Sequence, residues 1–130
     1  MIKFRVWDKE EKKMHKVKTI EFSRRGARII HLAEVNSNGK GNHKKWHSSV
    51  ELMQSTGTRY IYDEKGKEIF EGDIVKTRAS EYGRFIGYVD NAISRFKVRG
   101  VKQYKGLSVD LDGTCEIIGN IYENPELVDA

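Results

Sequence analysis

The chain has 130 residues and a mass of 15.0 kDa, enough for one modest hydrophobic core, so we expect a single domain over residues 1–130. Its 10% aromatic content argues against a chain that is disordered throughout. No stretch approaches the roughly 20 apolar residues of a membrane helix, and the single cysteine, Cys115, leaves no intrachain disulfide to form. We therefore expect a cytoplasmic protein without a membrane partner.

The first predicted elements are three strands. The run "IKFRVWD" alternates apolar and polar residues with a period of two, and "MHKVKTIEF" mixes them in a similar way. The polar segment "DKEEKK" between these runs has the length of a hairpin connection. A further apolar run, "ARIIHLAEV", follows a turn and is the third predicted strand.

The next segment, "NSNGKGNHKKWHSS", has no periodicity and is rich in Gly, Asn and Lys. This composition predicts a mobile loop over residues 36–49, with Asn38-Gly39 as a local turn. The run "VELMQSTG" after it fits either a short strand or one helical turn. We favour a strand, because no capping pattern precedes the run and Ser55-Thr56-Gly57 follows it.

Two tight turns are predicted near the middle of the chain. In "YIYDEKGKEIF", residues 63–66 separate two short apolar runs, which is the composition of a hairpin turn with Gly66 at positive φ. Glu71-Gly72-Asp73 is the second turn, and a strand rich in β-branched residues follows from Ile74. The carboxylates of these turns are expected to be solvated.

The C-terminal half is predicted to contain further short strands. The runs "GRFIGYVD" and "SRFKVRG" form a hairpin candidate about Asp90-Asn91, and "CEIIGNIYENPEL" supplies a last strand that Pro125 stops. Because no convincing amphipathic helix is present, the sequence predicts a mainly β fold with little helix, either a small barrel or a sandwich of short antiparallel strands. From Gly72 to about Asn120 the rhythm resembles an SH3-like barrel.

Residue patterns for catalysis or metal binding are weak. His43 and His47 are close in sequence, but Lys44 and Lys45 lie between them and no nearby Cys or carboxylate completes a ligand set. Cys115 opens an apolar run beside acidic residues, which favours a buried structural thiol over a nucleophile. We therefore predict a protein that is not an enzyme, with no catalytic residues, no metal and no cofactor.

Charge is distributed unevenly along the chain. Residues 106–130 carry six acidic and no basic side chains, whereas residues 1–47 carry 13 Lys or Arg and 5 Asp or Glu. Either the basic segments bind a polyanion, or the acidic C-terminal segment pairs with them, and the sequence leaves both alternatives open.

Two basic sets contain aromatic residues, in "KGNHKKWH" and around "RFKVR". Cations of this kind can meet phosphates while an aromatic ring stacks on a base. In "RFKVR" the alternation predicts the cations on the outer strand face and Phe96 and Val98 on the core face; the alternative is an ordinary solvated strand face. The predicted nucleic-acid-binding residues are Lys40, Lys44, Lys45, Trp46, Arg95, Lys97, Arg99, Lys102 and Lys105.

Three segments in order, "IKFRVWD", "LMQSTGTRYIYDEKGKEIFEGDIVK" and "EIIGNIYENPEL", resemble the YopX family of phage and prophage proteins. The family pairs a start like "KFRAWD" with "QYTGLKDKNGKEIYEGDIV" and an ending like "GNIYENPEL". The resemblance frames the whole chain and implies a β-rich, phage-borne protein in the cytoplasm of a bacterial host, with no established molecular role and no catalytic residues. The chain departs from the pattern between Gly57 and Gly66, where extra residues precede the turn.

These observations together predict a small binding module. The first hypothesis is weak, sequence-tolerant contact with nucleic acid through the two basic sets. The alternative is a protein–protein interaction or assembly role, either with a host or phage protein or as a homo-oligomer that buries exposed strand edges.

Overall fold

The computed structural model describes residues 3–22, 24, 28–33, 44–56, 62–80, 83–92, 95–111 and 114–128. In these ranges the regular structure consists of antiparallel strands and three short 3-10 turns, His47–Ser49, Lys102–Tyr104 and Pro125–Leu127. None of these turns is long and apolar enough to cross a membrane. The prediction of a mainly β fold with little helix is confirmed.

The strands fall into two compact units, the N-terminal unit (residues 2–54) and the C-terminal unit (residues 55–130). The expectation of one domain over residues 1–130 stays a prediction. The strands of the N-terminal unit are β1 (Phe4–Asp8), β2 (Lys13–Phe22), β3 (Arg28–Leu32), β4 (Lys44–Trp46) and β5 (Val50–Gln54). They form one antiparallel sheet in the order β4-β3-β2-β1-β5, so β4 and β5 are its edges.

The C-terminal unit holds the second sheet. Its strands are β6 (Asp73–Ser80), β7 (Gly83–Ala92), β8 (Arg95–Gly100), β9 (Ser108–Asp110) and β10 (Glu116–Asn120). The order is β10-β6-β7-β8-β9, and the sheet forms a half-barrel. Within it β10, the last strand in the sequence, pairs with β6, the first strand of this unit. This sheet spans the segment in which the sequence has an SH3-like rhythm.

Each unit has its own apolar core on the face that the alternation of its strands predicts. The buried cluster of the N-terminal unit consists of Val6, Ile30, Leu32 and Val50. That of the C-terminal unit consists of Ile69, Val75, Phe85, Val89, Val98, Leu111 and Cys115. Cys115 is fully buried, as predicted, and Phe96 packs against the same core as Val98.

Residues 44–49 differ from the predicted loop. The segment Lys44–Trp46 is a strand that pairs with β3, and His47–Ser49 is a 3-10 turn whose His47 Nδ1 accepts the Arg28 N–H at 3.1 Å. Residues 36–43 lie outside the described residues. Lys44–Trp46 forms a strand because pairing with β3 satisfies its backbone N–H and C=O groups. The local composition of the segment does not predict this pairing.

The hairpin between β7 and β8 turns later than predicted. Asp90 and Asn91 are strand residues that pair with Lys97 and Phe96, and the last pair before the connection is Ala92 with Arg95. The turn signal of Asp90-Asn91 is overridden because ladder pairing with β8 satisfies backbone groups of both residues.

The last strand also ends earlier than predicted, at Asn120 and not at Pro125. The Asn120 side-chain oxygen accepts the N–H groups of Tyr122 and Glu123, at 3.1 and 2.8 Å, and so turns the chain out of the sheet. Pro125 instead begins the last 3-10 turn.

The two predicted tight turns are present, but the carboxylates of Asp63 and Asp73 are buried and not solvated as expected. Gly66 and Gly72 have φ of 81° and 85°, as such turns require. Asp63 and Asp73 are 5% and 2% exposed, and Asp73 Oδ2 accepts the Phe70 N–H at 2.9 Å. These aspartates are therefore internal acceptors that hold the turns closed.

Candidate functional site

A cleft of ≈ 430 Å³ lies in the C-terminal unit, beside the outer face of β7 and β8 and the turn that follows β8. We call it the basic cleft. Its lining includes Tyr88, Arg99, Lys102, Lys105, Ser108 and Val128. Three of the nine predicted nucleic-acid-binding residues therefore line one cleft, although two of them come from a turn and one from a strand.

The turn that carries the two lysines of the cleft is anchored to the sheet and the core. Val101 is 3% exposed and donates its N–H to the carbonyl of Ile86 at 3.1 Å. Behind the turn, the ring of Tyr104 packs on the buried ring of Phe85 with centroids 5.0 Å apart. The lysines are therefore presented by a fixed segment of backbone, which limits the entropy lost when a ligand binds.

Gly100 is needed for the close approach at this turn. Its N–H donates to the carbonyl of Leu107 at 2.8 Å, and an added Cβ would lie 2.0 Å from the carbonyl oxygen of Tyr104. We expect Gly100→Ala to displace the turn and to lower the free energy of unfolding, measured in urea, by about 1–3 kcal/mol.

Gly119→Ala is the matched control for this variant. Its added Cβ would meet the side chain of Asn124, which can move more readily than backbone. A loss for Gly100→Ala no larger than that for Gly119→Ala would contradict the rigid turn.

The three cations of β8 are paired with carboxylates on the neighbouring strands β7 and β9. Arg95 and Lys97 contact Asp110 at 3.1 and 3.4 Å, and Arg99 donates a hydrogen bond to Asp90. Because these pairs are exposed or half-exposed, they hold the side chains loosely and leave them open to exchange. Lys102 and Lys105 have no carboxylate partner within the described ranges.

The other predicted set lies on the edge strand β4 and divides between the two faces of the sheet. Lys44 and Trp46 are exposed, Trp46 to 57%. Lys45 points to the opposite face and is only 8% exposed. Lys40 and His43 lie outside the described residues.

Lys45 is the centre of a charged cluster at the end of the N-terminal core. Its ammonium lies 2.9 Å from Asp8 Oδ2 and donates a hydrogen bond to Glu11 Oε1 at 3.2 Å. His15 lies on the other side, with Nε2 at 3.7 Å from Glu11 Oε2. Because Asp8 is fully buried, the Lys45 ammonium serves as its counterion.

The pKa shifts within this cluster are those of an ion pair between Asp8 and Lys45. Burial alone would raise the pKa of Asp8, but the Lys45 ammonium and the N–H groups of Glu11 and Glu10 hold it below its ordinary value. Bonding to Asp8 raises the pKa of Lys45 above its ordinary value despite burial. Of the two predicted lysines of β4, only Lys44 is therefore exposed for contact with a ligand.

Sequence reasoning did not identify Tyr88 as part of the cleft or Asp8 as a partner of Lys45. The alternation in "GRFIGYVD" could have placed Tyr88 on the face opposite Val89, and Tyr88 is the register partner of Arg99. No local signal links Asp8 with Lys45, because the two residues belong to different strands, β1 and β4, and β2 and β3 lie between these strands in the sheet order.

Comparison with known proteins places the chain. The family model described as "YopX protein" matches residues 3–129. The chain is 27% identical to protein EF1440 from Enterococcus faecalis, with a TM-score of 0.62 and coverage of 99% of each chain. It is 22% identical to protein yopX from Bacillus subtilis, with a TM-score of 0.59 and coverage of 98% of this chain and 96% of that one, a likeness of fold. No curated protein matches the chain. Because the family model covers nearly the whole sequence, the chain belongs to the YopX family.

Proposed function

We propose that the chain is a nucleic-acid-binding module whose contact surface is the basic cleft. The observation that carries the proposal is the pair Lys102 and Lys105, which have no carboxylate partner among the described residues and lie beside Arg99 and the ring of Tyr88 in one cleft. Cations without internal partners can exchange their counterions for phosphates, which is the main source of sequence-tolerant affinity.

The backbone of Lys102 supports a role for its side chain in binding. Its φ is 53°, in the left-handed region where glycine is the ordinary residue. A non-glycine residue there costs about 1–2 kcal/mol. Strain of this kind is concentrated at binding sites, where the surrounding structure maintains it.

The shape of the cleft also suits this class of ligand. Its volume of ≈ 430 Å³ is within the range of about 300–1,000 Å³ that is typical of ligand sites. Tyr88 supplies an aromatic face for a base, and Ser108 supplies a hydroxyl for a phosphate or sugar. Because none of these groups has a fixed base-reading geometry, we propose weak and sequence-tolerant binding.

The test is the salt dependence of binding to a labelled single-stranded oligonucleotide, followed by fluorescence anisotropy. Changing Lys102→Gly and Lys105→Ala together removes two phosphate contacts and relieves the strain at residue 102. The slope of log K against log salt should become less steep by about 1.4, since each single-strand contact contributes about 0.7.

Lys12→Gly with Lys13→Ala is the matched control. Lys12 has φ of 54° and both lysines are exposed, so this pair removes the same charge and the same kind of strain in the N-terminal unit. Equal slopes for the two double variants would mean that net charge alone attracts the oligonucleotide. An absence of binding at low salt would reject the proposed function.

A second candidate, self-assembly or docking of a protein, is favoured by the edge strand β4. It presents Trp46, 57% exposed, on a strand that has one paired edge among the described residues, and aromatic residues are enriched in protein interfaces. Sedimentation equilibrium of the wild type and of Trp46→Ala separates this function from the first. A dimer that dissociates in the variant, with unchanged oligonucleotide binding, would support assembly through β4.

A further inference from the structure

The charged cluster of the N-terminal unit contains the ligand set of a metal site. Asp8, Glu11 and His15 each offer a ligand atom, and these atoms all lie within 4.8 Å of one another. Two strands and the turn between them bring these residues together, since Asp8 ends β1, Glu11 lies in the connection and His15 belongs to β2. The cluster is separate from the basic cleft, which belongs to the other unit.

His15 is the member of the cluster that a purely structural ion pair does not require. It is 8% exposed, and neither of its ring nitrogens has a hydrogen-bond partner in the part of the chain that the structure describes. Burying an unpartnered polar group costs free energy that an apolar side chain of similar size would not. Its Nε2 is directed at the cluster, 3.7 Å from Glu11 Oε2.

Asp8 is oriented in the manner of a ligand carboxylate. Its Oδ1 accepts the N–H groups of Glu10 and Glu11 at 2.9 and 3.2 Å, and these bonds fix the carboxylate plane. Its Oδ2 is buried and faces the Lys45 ammonium as an ion pair at 2.9 Å. The position next to Oδ2, which the Lys45 ammonium occupies, therefore favours a positively charged group.

We propose that Asp8, Glu11 and His15 bind a divalent transition metal of the zinc class, which takes the position of the Lys45 ammonium. With neutral His15, the two carboxylates and Lys45 leave the cluster with one net negative charge. A divalent ion in place of the ammonium neutralises both carboxylates. An imidazole beside two carboxylates selects Zn²⁺ or a similar ion over Mg²⁺ and Ca²⁺, which prefer oxygen ligands alone.

The geometry requires little movement. Ligand atoms about 2.0–2.2 Å from a tetrahedral zinc lie roughly 3.3–3.6 Å from one another, close to the 3.7 Å between His15 and Glu11. The side chain of Glu11 is 48% exposed and can rotate to close the longer separations. Lys45 can withdraw, because it stands on a strand of three residues at the edge of the sheet.

The first test is calorimetric titration of the full chain with Zn²⁺ near neutral pH, with Co²⁺ absorption as a report on coordination. We expect one Zn²⁺ per chain in the wild type and a loss of affinity on the order of tenfold or more in His15→Gln. His31→Gln is the control and should leave the affinity unchanged, because among the described residues His31 Nε2 contacts one carboxylate, that of Glu21 at 3.4 Å. Equal losses in both variants would overturn the proposal.

The second test uses Lys45→Met, which removes the competing ammonium. Its affinity for Zn²⁺ should rise by on the order of tenfold or more, because no cation has to be displaced. If the variant is poorly folded without metal, Zn²⁺ should restore its unfolding midpoint and a chelator should reverse the effect. If Zn²⁺ neither binds the wild type at one per chain nor stabilises Lys45→Met, the cluster is an ion pair alone and the proposal is rejected.

Discussion

Asp63→Ala is expected to lower the free energy of unfolding by about 3 kcal/mol, because the carboxylate of Asp63 joins distant parts of the C-terminal unit. Oδ1 accepts the N–H groups of Lys65 and Lys67 at 3.0 and 2.8 Å, and Oδ2 accepts that of Ile117 at 3.0 Å. Hydrogen bonds to a charged acceptor contribute about 1.5–3 kcal/mol each. The N–H groups of the exposed turn can regain water, so we expect less than the full sum.

Glu64→Ala is the control, since Glu64 is the exposed neighbour of Asp63 in the same turn. Its backbone N–H donates to the carbonyl of Cys115 at 2.9 Å, a bond that survives the change. We expect an effect within about 0.5 kcal/mol in urea unfolding. Similar losses in both variants would show that the turn depends on charge in general and not on the bonds of Asp63.

The contribution of Asp63 should also depend on pH. Burial alone would raise its pKa, but the N–H groups of Ile117, Lys67 and Lys65 hold it below the ordinary value of 3.8. Because the folded pKa is the lower one, the stabilisation is present above pH 3.8 and is lost as pH falls through the folded pKa. The difference between wild type and Asp63→Ala should therefore shrink in acid. A constant difference down to pH 2 or so would mean that the negative charge is unimportant.

Lys45→Ala is the second change with a large expected effect. It leaves the fully buried carboxylate of Asp8 without its counterion, and breaking a buried ion pair by removing one partner costs about 3–5 kcal/mol. We expect a loss near 3 kcal/mol, the low end, because the half-exposed Glu11 admits water to one side of the cluster. Urea unfolding in the presence of a chelator measures the loss without any metal.

Lys44→Ala is the matched control, an exposed lysine on the same strand, and we expect it to change stability by less than about 0.5 kcal/mol. Adding Asp8→Asn to Lys45→Ala should recover part of the loss, because the buried charge is then removed. If the double variant is less stable than Lys45→Ala by the full cost of Asp8→Asn, the two side chains do not interact as the geometry indicates.

Several features of the fold could be predicted from short stretches of sequence. The alternation in "IKFRVWD" and "RFKVR" predicted strands with Val6 and Val98 in the cores, as the structure confirms. Gly66 marked a turn with positive φ. These predictions succeed because side chains alternate between the faces of a strand and because glycine alone adopts such φ values freely.

Other features required contacts between residues far apart in the sequence. Lys44 and Lys45 are identical neighbours, yet one is exposed and the other binds Glu11, 34 positions earlier in the chain. Asp63 has the same local context as a solvated turn aspartate, but Ile117 donates to it from 54 positions away.

The sequence by itself determined most of the strands, the tight turns and membership of the YopX family, because each depends on local periodicity or on a continuous motif. Only the tertiary structure decided which charges are internal partners and which remain available to a ligand. That division arises from the order of strands in each sheet, which brings Asp8 to Lys45 and gathers Arg99, Lys102 and Lys105 beside Tyr88. Two charged side chains far apart in the sequence can pair only after the fold has brought their strands together, and the local sequence around each residue does not specify that arrangement.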